Sequence, residues 1–312
     1  MASAKGSRAG ATAGGLAALA IWSMTVALVR GATESLGTLT AAALAMGAGG
    51  VLSLAAAWAA GRSPAAMLRL PRKYLLVCGG LFVVYEVCVW GAIGWAANRS
   101  TVLVVGLANY LWPALTVVLS VPILGRRARW ALWPGCVLAV AGAAAATLGR
   151  GGLRWEALSP SGGVAAPVGL AAAGAVAWGM YSNLVKRWGR PEAGAVPLFL
   201  LASAGALAAL RLGRAETTVW TGRAAGELAF LAVAQSAAAY VLWEWGMRRG
   251  NHLLLGLTSY FLPVASTAIA AAYLAVLPGP WVMAGAVLVA AGAVICKLSL
   301  AEPAGTNAEP AG

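Results

Sequence analysis

The segment GLANYLWP at residues 106–113 returns as GLTSYFLP at residues 256–263, 150 positions later, with Gly, Leu, Tyr and Pro in register. Working outward, Gly135, Val137, Leu138 and Gly142 recur at the same offset as Gly285, Val287, Leu288 and Gly292. Upstream, WSMTVALVR at residues 22–30 has a counterpart in WGMYSNLVK at residues 178–186, now 156 positions on. The chain is therefore a doubled unit, and every later inference depends on how the two copies sit relative to each other.

Composition sets the solvent. Of 312 residues, 61% are hydrophobic and only 10% charged, against about 25% charged in soluble domains. Such a chain belongs in a bilayer. Windows of roughly 20 apolar residues, the length that crosses about 30 Å of hydrocarbon as helix, predict ten spans. They lie near 11–29, 36–60, 74–97, 101–124, 130–149, 164–185, 193–213, 226–247, 253–277 and 280–300. The expected fold class is an all-α integral membrane protein of ten transmembrane helices, arranged as two inverted five-helix repeats around a central cavity. Residues 1–160 form the first repeat, 161–300 the second, and 301–312, with Pro303 and Pro310, a disordered cytoplasmic tail.

Charge placement orients the chain. With the N-terminus in the cytoplasm, fifteen of the 22 Lys and Arg fall inside, the bias that membrane insertion favours. The net charge of +13 is then a topology signal, not a nucleic-acid surface, and both termini are cytoplasmic. Trp58, Trp130, Trp133, Trp155, Trp188, Trp220 and Trp281 fall near span ends, where amphipathic rings prefer the interface. Five spans per repeat is an odd number, so the second copy enters the membrane from the opposite side. Arg30 then follows span one outside, and its counterpart Lys186 follows span six inside. Inverted repeats of this kind build secondary transporters with a substrate site near the midplane.

Several spans carry polar or large aromatic groups to that depth. Glu86 is the only carboxylate at the centre of a predicted span. A carboxyl there meets a partner, takes up a proton, or faces a cavity, so proton coupling, binding of a substrate amine and a structural hydrogen bond all stay open. Asn109, Gln235 and Ser259 add neutral polar groups. Pro113 and Pro263 occupy matching places in spans four and nine, where each removes a backbone donor and loosens the turn before it. Both are expected to kink their spans, and the freed carbonyls near Asn109 and Ser259 to line the pathway. Trp22, Tyr85, Trp90, Tyr110, Trp112, Trp178, Tyr181, Tyr240, Trp243 and Tyr260 lie away from the interface positions. Rings of this kind stack on an aromatic ligand and attract a cation.

The run from Trp22 to Leu36, the stretch from Tyr85-Glu86 to Cys88, and above all residues 106–113 resemble the bacterial aromatic amino acid exporters of the drug/metabolite transporter superfamily. The resemblance extends over nearly the whole chain. It implies an exporter in the bacterial inner membrane that moves phenylalanine, tyrosine and tryptophan outward. It also places Trp22, Tyr85, Tyr110, Trp112, Pro113 and Trp178 on the cavity wall. The residue types add Glu86, Asn109, Tyr181, Gln235, Ser259 and Tyr260 as substrate-binding candidates.

Other chemistry finds little support in the sequence. The acidic residues are nine Glu, with no Asp, and there is one histidine, His252. Cys78, Cys88, Cys136 and Cys296 all lie in predicted spans without a CxxC and with no evident partner. No P-loop motif is present. A catalytic triad, a metal centre and a cofactor are accordingly not expected, and the chain is not expected to be an enzyme. The expected partners are a small-molecule substrate and membrane lipids, with a monomer sufficient for the fold. Lipophilic-cation efflux and a passive channel for small polar solutes remain the rival functions.

Overall fold

The computed structural model describes residues 2–148, 163–189 and 194–300. The junction between the expected repeats and the C-terminal tail, 301–312, lie outside the described residues, as does Trp155. All the named elements are helical. Up to residue 148 the elements are α1 (Ala2–Leu36), α2 (Thr38–Ala59), the short α3 (Pro64–Leu68), a π-helical turn (Tyr74–Cys78) leading into α4 (Gly79–Gly94), α5 (Arg99–Asn109), α6 (Trp112–Leu124) and α7 (Leu132–Leu148). From residue 163 onward they are α8 (Ala165–Trp188), α9 (Val196–Leu212), α10 (Gly222–Phe230), a π segment (Leu231–Ala238), α11 (Ala239–Arg249), α12 (His252–Ser259), α13 (Leu262–Tyr273) and α14 (Pro280–Leu298).

Seven helical stretches are long and apolar enough to cross a membrane, and α7, α9 and α13 are shorter apolar helices. Helices α7 and α9 have 17 residues each, and the shortness of α13 has a local cause. Spans four and nine both break in the recurring motif, between Asn109 and Trp112 and between Ser259 and Leu262. In each, proline falls in the first turn of the new helix, where its missing N–H breaks no intrahelical bond. Helices α5 and α6 together are still long enough to count as one span (Arg99–Leu124). In the second copy α12 and α13 have 8 and 12 residues, and neither half is long alone. The π segments lie at 74–78 in span three and at 231–238 in span eight, places that the 150-residue offset does not superpose, and no sequence signal marks them.

The packing pairs are specific. Helix α7 runs along α14, α2 along α9, α1 along α11 and α13, and α8 lies against α4 and α6; the π segment at 231–238 meets α2, and α4 meets α9. Small residues make these approaches possible, the usual way helices pack in lipid. Between α7 and α14, a Cβ at Gly142 would lie 2.8 Å from the Gly285 carbonyl, and one at Gly292 would lie 2.5 Å from the Ala139 nitrogen. Gly135 faces Gly292 while Gly142 faces Gly285, so the two helices run antiparallel. Trp58, Trp130, Trp133, Trp220 and Trp281 are exposed, whereas Trp188 is half-buried.

Replacing Gly142 by leucine drives a side chain into backbone that cannot yield. The expected cost is about 1–3 kcal/mol, read as a lower unfolding temperature of the detergent-solubilised protein. An unchanged melting curve would contradict the close α7–α14 contact.

Candidate functional site

Spans one, three, four, six and eight deliver aromatic rings to one continuous row. On α4, Phe82, Tyr85 and Glu86 share a face at spacings of three and four. On α8 the pair is Trp178 and Tyr181, and on α11 it is Tyr240 and Trp243. Trp22 of α1 lies 5.5 Å from Trp243 and 5.6 Å from Tyr240 between ring centroids. Tyr240 is 6.4 Å from Phe82, which is 6.2 Å from Trp178. Trp178 is the hub, with Tyr85 at 4.6 Å, Tyr181 at 5.1 Å and Trp112 at 6.3 Å. Phe82 is fully buried, whereas Trp22, Tyr85, Trp112, Trp178, Tyr240 and Trp243 keep part of their surface accessible. The tilted and edge-to-face geometries match the quadrupole preference of paired rings. Phe82 escapes a reading of the sequence because phenylalanine, with no polar atom, gives no signal in an apolar helix.

Polar groups join the row at one end. Glu86 is buried, with the Trp90 indole one turn along the helix as a polar neighbour. Its carboxyl is near enough to act electrostatically on the Tyr85 and Tyr240 hydroxyls. The Asn109 side chain is a polar neighbour of Tyr85. Asn109 sits at the last residue of α5, buried, and its Oδ1 has no hydrogen-bond partner among the described residues. A buried acceptor left open costs about 1–3 kcal/mol, which makes this amide a ready acceptor for a donor brought by a ligand. Tyr110 and Pro113 are buried at the same helix break.

The remaining sequence candidates stand elsewhere. Gln235 accepts from its neighbour Ser236 at 2.8 Å, and Ser236 packs on Gly49 of α2. Ser259 donates to the Gly256 carbonyl of its own helix at 2.7 Å. Tyr260, the counterpart of Tyr110, is buried in a separate apolar cluster with Ala114, Val117, Leu132 and Cys296. Pro263 is buried at the start of α13. Trp90 is buried in the main core.

At the bundle end that carries Leu36, charged groups tie the spans together. Glu34 accepts from Arg30 at 2.8 Å and from Arg99 at 2.6 and 3.0 Å. Arg30 also donates to the Ala96 carbonyl at 2.9 Å, and Arg99 to the Leu274 carbonyl at 3.3 Å. Glu227, almost wholly buried, accepts from Arg223 at 2.9 Å and from the Tyr273 hydroxyl. Its carboxylate presses on α1 at Gly31, where a Cβ would collide with it. Glu216 caps α2 from a distant loop, accepting from the Leu39 nitrogen at 2.9 Å and the Thr40 nitrogen at 3.0 Å. Val219 N donates to the Ser35 carbonyl at 2.8 Å, and Thr218 to the Leu36 carbonyl at 3.0 Å. Exposed pairs such as Glu34–Arg99 contribute about 0–1 kcal/mol, but stripping the partner from a buried carboxylate such as Glu227 costs about 3–5 kcal/mol. The i,i+4 spacings of Arg30/Glu34 and Arg223/Glu227 are visible in the sequence, though the contacts between spans are not.

Residues 10–148 match the EamA-like transporter family. The chain is 31% identical to the aromatic amino acid exporter YddG of Salmonella typhimurium over 93% of its own length and 97% of the relative's. The Escherichia coli protein of the same name is 30% identical over the same shares. The Ancylobacter novellus protein is 33% identical over 84% of this chain and 88% of its own. A solved crystal structure, 29% identical, superposes with a TM-score of 0.67 and covers 93% of this chain and 97% of that one.

The Gly31 notch gives a direct check on the buried carboxylate. Gly31→Ala should lower the unfolding temperature of the purified protein, and Glu227→Ala in the same chain should relieve most of the steric part of that loss. Additive effects of the two substitutions would disprove the contact.

Proposed function

The chain belongs to the EamA-like transporter family, with the YddG aromatic amino acid exporters among its relatives, and from that membership we propose that it exports phenylalanine, tyrosine and tryptophan by alternating access. The row of rings from Trp243 through Trp178 to Trp112 carries this assignment to a substrate class. A flat, partly accessible aromatic surface inside an apolar bundle suits a substrate with a ring of its own. Glu86, Asn109 and the Asn109 carbonyl, left without a donor by Pro113, stand where an amino acid's ammonium group needs acceptors. Trp22, Tyr85, Trp112, Trp178 and Tyr181 are assigned to the ring. Gln235, Ser259 and Tyr260 are assigned a lesser part, in the second half of the pathway.

The architecture proposed is two inverted five-helix repeats, residues 1–160 and 161–300, in the inner membrane with both termini cytoplasmic. Two features support it. Exchanging each span for the one five places on converts the α4–α8 contact into α11–α1, α6–α8 into α13–α1, and α4–α9 into the contact of the π segment at 231–238 with α2. The α7–α14 and α2–α9 contacts map onto themselves. The helix breaks in spans four and nine also recur at related places. In this orientation the Leu36 end is the outer end. Its lattice of Glu34, Arg99, Glu216, Arg223 and Glu227 forms the outer gate, which must part for substrate to leave. Carriers of this design rock one unit against the other around a fixed site.

Counterflow of labelled tryptophan into proteoliposomes tests the assignment. A carrier accelerates uptake when unlabelled tryptophan is loaded inside, whereas a channel does not, so absence of acceleration would overturn the proposal. Trp178→Ala removes the hub ring and should slow exchange about tenfold, equivalent to about 1.4 kcal/mol. Undiminished exchange by that variant would remove the row from the pathway. A buried carboxyl beside aromatic rings also favours an organic cation. Strong competition by a quaternary ammonium compound, weakened by Glu86→Gln, would mark lipophilic cations as the true cargo. If Glu86→Gln keeps full exchange and its response to an imposed pH gradient, Glu86 takes no part in proton coupling.

A further inference from the structure

The seam between α7 and α14 holds chemistry that the transport site does not use. Cys136 and Cys296 place their sulfurs 3.5 Å apart across it, although 160 residues separate them in sequence. Both are free thiols; Cys296 is fully buried and Cys136 partly accessible. Cys296 also lies 3.7 Å from the Leu132 carbonyl. The glycine contacts bring the backbones together on each side of the pair: a Cβ at Gly135 would lie 2.8 Å from the Cys296 nitrogen. The Arg129 nitrogen, donating to the Ser299 carbonyl at 2.8 Å, pins the helix ends beyond it.

Packing alone does not demand two sulfurs here. The 150-residue offset maps Cys136 onto Ala286 and Cys296 onto Ala146. At that end of the same seam, alanine and glycine make an equally close contact, with a Cβ at Gly285 only 2.9 Å from the Ala146 Cβ. The thiol pair is thus an asymmetric addition to a symmetric seam.

We propose that Cys136 and Cys296 form a dithiol that peroxides oxidise to a disulfide, stapling α7 to α14 at a seam that stays closed throughout the transport cycle. The Cys136 sulfur, the accessible one, attacks a peroxide oxygen to give a sulfenic acid and water. The Cys296 sulfur then attacks the sulfenyl sulfur, forming the S–S bond and releasing a second water. Two electrons pass from the thiols to hydrogen peroxide. The sulfurs need to approach by about 1.5 Å to reach disulfide bonding distance. Between sulfenic acid and irreversible over-oxidation, an adjacent thiol is the efficient trap.

The chemistry rests on the seam geometry, and the closed-seam part rests on the alternating-access proposal above. The test uses full-length reduced protein in proteoliposomes treated with hydrogen peroxide. Titration of the denatured protein should show loss of two of its four thiols, and peptide mapping without reductant should recover the Cys136 and Cys296 peptides joined. Cys78→Ser with Cys88→Ser should leave that product intact, and Cys296→Ser should abolish it. The oxidised protein should unfold at a higher temperature and exchange tryptophan at the rate of the reduced protein. Absence of the joined peptide, or a link to Cys78 or Cys88 instead, overturns the dithiol. Exchange that stops on oxidation and returns with dithiothreitol overturns the closed seam. If reduced protein exchanges no tryptophan at all, the transport proposal fails while peptide mapping and thermal unfolding still decide the dithiol.

Discussion

In hydrocarbon, every backbone N–H and C=O must find its partner within the protein. That single constraint makes the membrane-spanning chain helical and makes each interruption informative. The breaks at Tyr110-Leu111 and Tyr260-Phe261 leave carbonyls that Pro113 and Pro263 cannot satisfy, so each break must sit against other protein groups or a cavity. In the first repeat the break carries Asn109, with an unpartnered amide oxygen, beside the aromatic row. In the second, Ser259 satisfies a carbonyl of its own helix and Tyr260 turns into the apolar cluster beside α14. The same backbone device therefore leaves an open polar group beside the rings in one copy and is closed by packing in the other.

What the sequence conveys and what it hides divide along the same line. Hydrophobic length locates most of the helices to within a few residues, though α1 runs on to Leu36, well past the expected end at 29, and the prolines locate both breaks, because these are local effects. The rings of Trp22, Tyr85, Trp112 and Trp178 are recognisable because aromatic groups at matching depth are rare. Phe82 is not, since nothing polar distinguishes it from lipid-facing neighbours. The π segments depend on tertiary packing and leave no local mark. The pairing of Cys136 with Cys296 is hidden for the same reason: only the antiparallel approach of α7 and α14 brings two unrelated positions together. Glu227 looks like an interfacial residue by position, but Gly31 opens a notch in α1 that admits its carboxylate.

Glycine and alanine let the helices approach closely beside the large apolar side chains of the core. Lipid tails are as apolar as leucine, so association gains little from burying leucine and more from close backbone approach. The α7–α14 seam is the extreme case, with glycine facing glycine at two levels. A contact made by backbone atoms is short-ranged and stiff, which suits an axis better than a moving surface.

The two other kinds of contact between the halves differ in how they respond to movement. Ring contacts such as Trp22–Tyr240 and Tyr85–Trp178 are worth about 0.5–1.5 kcal/mol each and tolerate a range of angles and distances. Rings can slide past one another, or past a substrate ring, without a steep cost. The charged contacts at the Leu36 end are directional, and the buried Glu227 carboxylate loses several kcal/mol if its partners leave without replacement. A rigid seam, a compliant centre and a directional end are the mechanical properties that the proposed alternating-access cycle requires. On that proposal, water entering at the Leu36 end would solvate the charged groups as that end opens, and a substrate ring in the row would take the place of any ring pair separated at the centre.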